Sequence, residues 1–229
     1  MKLIFIHGAG NTGLVWHYQT VYFDYADAIS LPGHPKGEPC HSIEGYTDWL
    51  HKYVVDKGCS EPVLIGHSMG GAVAQMYALK YPGELKAIVL IGTGARLRVR
   101  PDFLNLLESG VNASSEWARS VIEPFYERVA AEVKEKVINK ALEVGVAVQL
   151  NDFRCCDKFD IMDRVDQIVA PTLVICGSED EMTPVKYSRY LADRIAGARL
   201  VIIEGGSHFV FMERPEKVNQ AIEDFLRSL

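Results

Sequence analysis

Val63-Leu64-Ile65-Gly66-His67-Ser68-Met69-Gly70-Gly71 is an apolar run that ends in a glycine-flanked serine and passes directly into small and apolar residues of helical character. The order strand, G-x-S-x-G, helix predicts a sharp, strained turn with Ser68 at its apex. Gly66 and Gly70 have to be small for strand and helix to close around that turn, so a larger residue at either place should clash. The first amides of the following helix point at the same spot and favour negative charge there. A bare G-x-S-x-G match is common by chance and also suits an ordinary strand-to-helix turn. The flanking strand and helix are what give this one weight.

Outward from the turn, short apolar runs at 3–6, 26–30, 63–65, 87–91, 172–176 and 200–203 alternate with helical stretches at 43–57, 72–80, 185–195 and 216–229. That alternation predicts a parallel sheet wrapped by helices, each helix a crossover between strands. Residues 95–163 break the rhythm. They hold no convincing strand, while Val129, Val133, Val137 and Ala141 recur at helical spacing among Glu and Lys. The expectation is a core of residues 1–94 and 164–229 with an all-helical insertion at 95–163, joined near Arg96-Leu97-Arg98-Val99-Arg100-Pro101.

The 229 residues, 48% hydrophobic, suffice for one large core without disulfides, and the five scattered cysteines suit reduced thiols. A net charge of -6 supplies no basic field for phosphates, which argues against a nucleic-acid partner. The apolar runs are far shorter than the ~20 residues of a membrane helix, and the first residues lack a signal-peptide pattern. A cytoplasmic protein acting on a small molecule, monomeric by default, is expected.

A serine is a weak nucleophile until a base takes its proton. Among seven histidines, His208 lies in Gly205-Gly206-Ser207-His208-Phe209, directly after a strand and therefore at the carboxyl end of a parallel sheet. His17, His41 and His51 fall in helical or surface-like stretches, and His34, Cys40 and His41 match no metal-ligand spacing. A carboxylate must hold the imidazole in one tautomer, and Asp180 follows the strand at 172–176, with Glu179 and Glu181 as rivals in the same loop. His7-Gly8-Ala9-Gly10, at the end of the first strand, forms a turn able to aim amides inward, which makes Ala9 and Met69 the candidate oxyanion donors.

Taken together, His7-Gly8-Ala9-Gly10, Leu31-Pro32-Gly33-His34, 66–71, 177–184, Gly206-Ser207-His208 and Glu213-Arg214-Pro215-Glu216 resemble the α/β-hydrolase superfamily over essentially the whole chain. The resemblance implies a mostly parallel sheet of about six strands flanked by helices, without the leading antiparallel hairpin of larger relatives. It gives Ser68, Asp180 and His208 the roles of a catalytic triad and makes 95–163 a helical cap over the substrate pocket. Ser30 stands where many relatives place an acidic residue, which leaves the anchoring of that loop open. A serine in the elbow excludes the aspartate-nucleophile relatives, the haloalkane dehalogenases and epoxide hydrolases.

The implied reaction is carboxylesterase-like, through an acyl-enzyme that requires neither metal nor organic cofactor. Candidate substrate-pocket walls are Trp16, Trp117, Phe125, Tyr126, Phe153 and Phe209, which favour small, largely apolar acyl esters. The same triad also serves thioesters, lactones, peptide N-terminal amides and carbon-carbon bonds, and a fold retained as a ligand-binding scaffold is the alternative from outside enzymology.

Overall fold

Residues 2–229 are described by a computed structural model. The strands β1 (Leu3–Ile6), β2 (Asp27–Ile29), β3 (Val63–His67), β4 (Ala87–Ile91), β5 (Thr172–Gly177) and β6 (Arg199–Ile203) form a parallel sheet of order β2-β1-β3-β4-β5-β6. Helices α1 (His17–Tyr22), α2 (Ile43–Asp56) and α3 (Met69–Lys80) connect the first strands. The segment between β4 and β5 carries α4 (Pro101–Ser109), α5 (Ser115–Ile122), α6 (Ala131–Val144) and α7 (Val146–Lys158), and α8 (Val185–Arg194), α9 (Val210–Glu213) and α10 (Pro215–Leu226) follow. This is the architecture the resemblance implied.

Because side chains alternate across a pleated strand, each strand feeds two cores. Ile4, Ile6, Leu64, Ile88, Leu90 and Val174 face α2, α3 and α8. Leu3, Phe5, Val63, Ile65, Val89 and Ile175 face α9, α10 and part of α6. Burial on both faces is why these strands read as unbroken apolar runs rather than as alternating ones. Helix α3 is buried from Met69 to Ala78, so its small residues reflect close packing on all sides and not an amphipathic surface.

The chain crosses from β1 to β2 on one side and returns to β3 on the other side of β1. The carboxyl ends of β1 and β3 therefore flank a crevice, the usual ligand position in such sheets. The segment between β4 and β5 leaves and rejoins the sheet at one seam, where Ile161 N donates to Ala95 O (2.8 Å) and Leu97 N to Phe159 O (3.3 Å), beside an Arg96–Asp160 bridge. Val133, Val137 and Ala141 are the buried stripe of α6, whereas Val129 is buried in the turn before it.

Two of the aromatic expectations are corrected here. Trp16 is fully buried and sits between Phe5 (ring centroids 5.0 Å) and Phe211 (4.2 Å), so it belongs to the sheet core rather than to a pocket wall. Trp117, on α5, is packed over Gly110, where a β-carbon would lie 1.8 Å from its ring, and lines neither cavity beside Ser68. Trp16→Ala is expected to lower the unfolding free energy by about 3–5 kcal/mol, read as a fall in the urea midpoint; an unshifted midpoint would contradict this placement.

Candidate active site

At the end of β3 three backbones meet. A β-carbon on Gly66 would lie 2.2 Å from the Gly70 carbonyl oxygen, and one on Gly70 would lie 2.3 Å from that of Ile6. Nothing larger than glycine fits at either position. The chain passes this point with Ser68 at φ 52°, ψ -115°, a conformation that strains a residue bearing a β-carbon and persists only when its surroundings enforce it. Ser68 N donates to Ile91 O (3.0 Å), and Thr93 Oγ1 donates to Ser68 O (2.9 Å). Both ends of the turn are thereby tied to β4 and the loop after it.

His208 and Asp180 come from the loops after β6 and β5, which touch closely enough that a β-carbon on Gly177 would meet the Gly206 carbonyl oxygen at 2.1 Å. His208 Nδ1 donates to Asp180 Oδ2 at 2.9 Å. Asp180 Oδ1 accepts from Met182 N (2.9 Å) and Thr183 N (2.8 Å), and Oδ2 accepts from Thr183 Oγ1 (2.8 Å). Burial alone would raise the Asp180 pKa. The His208 charge and the bonds from His208 and Thr183 outweigh it and hold the carboxyl below its ordinary value. Of the rivals, Glu179 pairs with Arg128 on the surface, and Glu181 lies at the rim of a cavity. Ser207 N donates to Glu213 (2.8 Å), fixing the loop that carries His208.

Among the described residues all hydrogen bonds of the His208 ring use Nδ1, to Asp180 and Thr183, and none uses Nε2. Ser68 and His208 line the same cavities, and among the described residues no hydrogen bond joins them directly. His67 Nε2 donates to His208 O (3.0 Å), linking the elbow to the histidine loop. Burial, and after it the proximity of His208, lowers the His67 pKa well below the ordinary value, so His67 is a neutral donor there.

The turn after β1 is equally constrained. The Gly8 carbonyl accepts from His7 Nδ1 (2.8 Å) and Asn11 N (3.3 Å). His7 Nε2 accepts from Leu31 N (3.0 Å), and burial, with the nearby His34, lowers the His7 pKa to about 3; the ring is neutral with its proton on Nδ1. In a trans peptide the N–H points opposite to the C=O. Pinning the Gly8 carbonyl therefore aims the Ala9 amide away from it, and neither Ala9 N nor Met69 N donates within the protein among the described residues.

Phe125, Tyr126, Phe153 and Phe209 line the cavity beside Ser68. A pocket of ≈ 40 Å³ on the Ala9 side and a cavity of ≈ 470 Å³ on the Arg98 side both open onto Ser68 and His208. They share the walls Phe103, Phe125 and Phe153, which pack edge to face at 5.9 and 5.0 Å. Phe103 and Met182 were not singled out in the sequence. The amphipathic start of α4 and the position of Met182 two residues after Asp180 were the available signals. Ser30 Oγ accepts from Gly13 N (3.1 Å), so a hydroxyl anchors that loop.

A profile described as "Alpha/beta hydrolase family" matches residues 3–221. Monoacylglycerol lipase abhd6-A of Xenopus laevis is 29% identical over 226 residues, covering 88% of this chain and 67% of that protein. A pimeloyl-(acyl-carrier protein) methyl ester esterase of Aromatoleum aromaticum is 26% identical over 259 residues, covering 98% of each chain. A solved structure described as a thermophilic esterase superposes with a TM-score of 0.84 at 35% identity, covering 99% of this chain and 89% of that one.

A carboxyl with a lowered folded-state pKa stabilises the fold above the ordinary value of about 4 and loses that contribution as pH falls through the folded value. Asp180→Asn is accordingly expected to flatten the acid limb of the stability profile, measured as urea midpoints between neutral and acidic pH. An acid limb as steep as that of the parent protein would contradict this.

Proposed function

This chain belongs to the alpha/beta hydrolase family and is a carboxylic ester hydrolase; on that premise we propose that Ser68, His208 and Asp180 carry the reaction through an acyl-enzyme. The observation that supports this most directly is the buried Asp180–His208 pair, which commits Nδ1 and leaves Nε2 to the cavity that also holds the strained Ser68. His208 Nε2 removes the Ser68 proton as Ser68 Oγ attacks the ester carbonyl carbon. The carbonyl π-electrons move to oxygen, and the Ala9 and Met69 amides receive that charge. Collapse expels the alkoxide, which takes the proton from His208 and leaves as the alcohol. His208 then takes a proton from water, the resulting hydroxide attacks the acyl-enzyme, and Ser68 departs with the proton as the carboxylic acid is released. Asp180 keeps the imidazole oriented and stabilises its cation.

The substrate is read as a small, largely apolar acyl ester, its two arms divided between the ≈ 40 Å³ pocket and the ≈ 470 Å³ cavity, a size suited to small organic ligands. Residues 95–163 act as the cap of this site, since Phe103, Phe125 and Phe153 all come from them. No helix among the described residues is long and apolar enough to cross a membrane.

Ser68→Ala is expected to lower turnover of p-nitrophenyl butyrate by roughly 10⁴-fold or more without unfolding, and to abolish the stoichiometric fluorophosphonate labelling of the parent protein. Ester hydrolysis retained in a clean preparation of the variant would refute the serine route. Phe103→Ala, which removes a wall shared by both spaces, is expected to raise kcat/KM for longer acyl chains relative to acetate. An unchanged profile across a chain-length series would count against the proposed walls.

A further inference from the structure

Asp152, on α7, is fully buried and plays no part in the reaction as described. Its Oδ2 accepts from Gly10 N (2.8 Å) and His34 Nε2 (2.7 Å), and its Oδ1 accepts from Tyr46 OH (2.8 Å). One carboxylate thus joins the helical segment to the turn after β1, to the loop after β2 and to α2. His34 Nδ1 faces only carbonyl oxygens, those of Pro32 (3.0 Å) and Leu31 (3.2 Å). With acceptors at both ring nitrogens, His34 holds two protons and forms a sealed ion pair with Asp152. Burial opposes this charge, but the Asp152 bond and charge and the two carbonyls prevail and raise the His34 pKa.

Gly10 follows Ala9, and the peptide between them is bonded at both polar groups. Ala9 O accepts from Asn11 Nδ2 (2.9 Å), and Gly10 N donates to Asp152. Gly10 has φ +66°, and a β-carbon there would meet Gln149 Cγ at 2.5 Å. Gln149 lies one turn before Asp152 on the same face of α7, itself held by a bond from Nε2 to Ala141 O (3.0 Å). Asn11 Oδ1 accepts from Tyr126 OH (2.6 Å), a second tie to the same helical segment. Without the carboxylate, a glycine in the left-handed region is free to turn, and the peptide after Ala9 loses the anchor that holds the Ala9 backbone, and with it the direction of the preceding Ala9 N–H, from the far side.

We infer that Asp152 is a positioning residue for the oxyanion-binding turn, fixing the peptide after Ala9 from the helical segment so that full turnover requires α7 to be seated. This rests on the acyl-transfer reading above. An ion pair serving stability alone would affect the amount of folded protein but not the rate per folded molecule.

The test uses the full chain with p-nitrophenyl butyrate, comparing Asp152→Ala, Asp152→Asn and the double variant H34Q/D152A. The double variant removes the stranded imidazolium together with the carboxylate, and so keeps the measurement open where the single alanine variant does not fold. In the alanine variants kcat per folded molecule is expected to fall about 10- to 100-fold, with KM changed less than about twofold and the shape of the pH profile unmoved. Asp152→Asn, which can turn its amide oxygen to Gly10, is expected to recover most of that kcat despite losing the charge. Unchanged kcat per folded molecule, or an asparagine variant no better than alanine, would overturn the inference. Parent activity that survives Ser68→Ala would instead defeat the underlying acyl-enzyme reading, so the two failures are distinguishable.

Discussion

The structure depends on a steric constraint at the crevice between β1 and β3, where backbone lies against backbone with no room for a side chain. The same economy of space recurs where Gly177 meets Gly206, so the loops bearing Asp180 and His208 lean on each other as closely as elbow and first strand do. Dispersion and main-chain hydrogen bonds hold these approaches, and the sheet supplies the rigidity that keeps Ser68 in a conformation it would not otherwise adopt. Strain at one residue is thereby distributed over two closely packed cores, which is why a single serine can stand clear of its own helix.

Around this frame the buried histidines are each fixed in one protonation state by their neighbours. His7 and His67 are neutral, with the proton placed by a carbonyl on one side. His34 has an acceptor at each ring nitrogen, which favours its protonated form. Two histidine–aspartate pairs result, with opposite consequences. In His34–Asp152 every ring nitrogen and both carboxylate oxygens are engaged, so the pair is static. In His208–Asp180 one ring nitrogen has no partner among the described residues, which is what the proposed proton transfer needs. Environment, not residue type, separates scaffold from chemistry.

The strands were legible because parallel strands covered on both faces are apolar throughout, and their observed limits move by only a residue or two, as with Arg199–Ile203 against 200–203. Helix α3 begins at Met69 rather than at 72 because tertiary packing overrides the poor helix propensity of Gly70 and Gly71. The loops bearing Ser68, Asp180 and His208 were legible from turn chemistry that needs glycine at fixed places. Aromatic composition carried no direction, so Trp16 could not be told from a pocket wall. Asp152 was hidden for a different reason. An aspartate on a polar-looking helix reads as solvated, and its partner Gly10 lies 142 residues away.

The seam at Ala95 and Ile161 means that residues 95–163 hang from the sheet by two adjacent chains. Such an attachment would let a helical piece of different length be grafted there without disturbing the strands. The graft is nevertheless not free, because Asp152 and Tyr126 reach back to Gly10 and Asn11. A transplanted piece must bring its own acceptor and its own hydroxyl to those two positions, so any change of the helical segment is tethered to the turn it reaches.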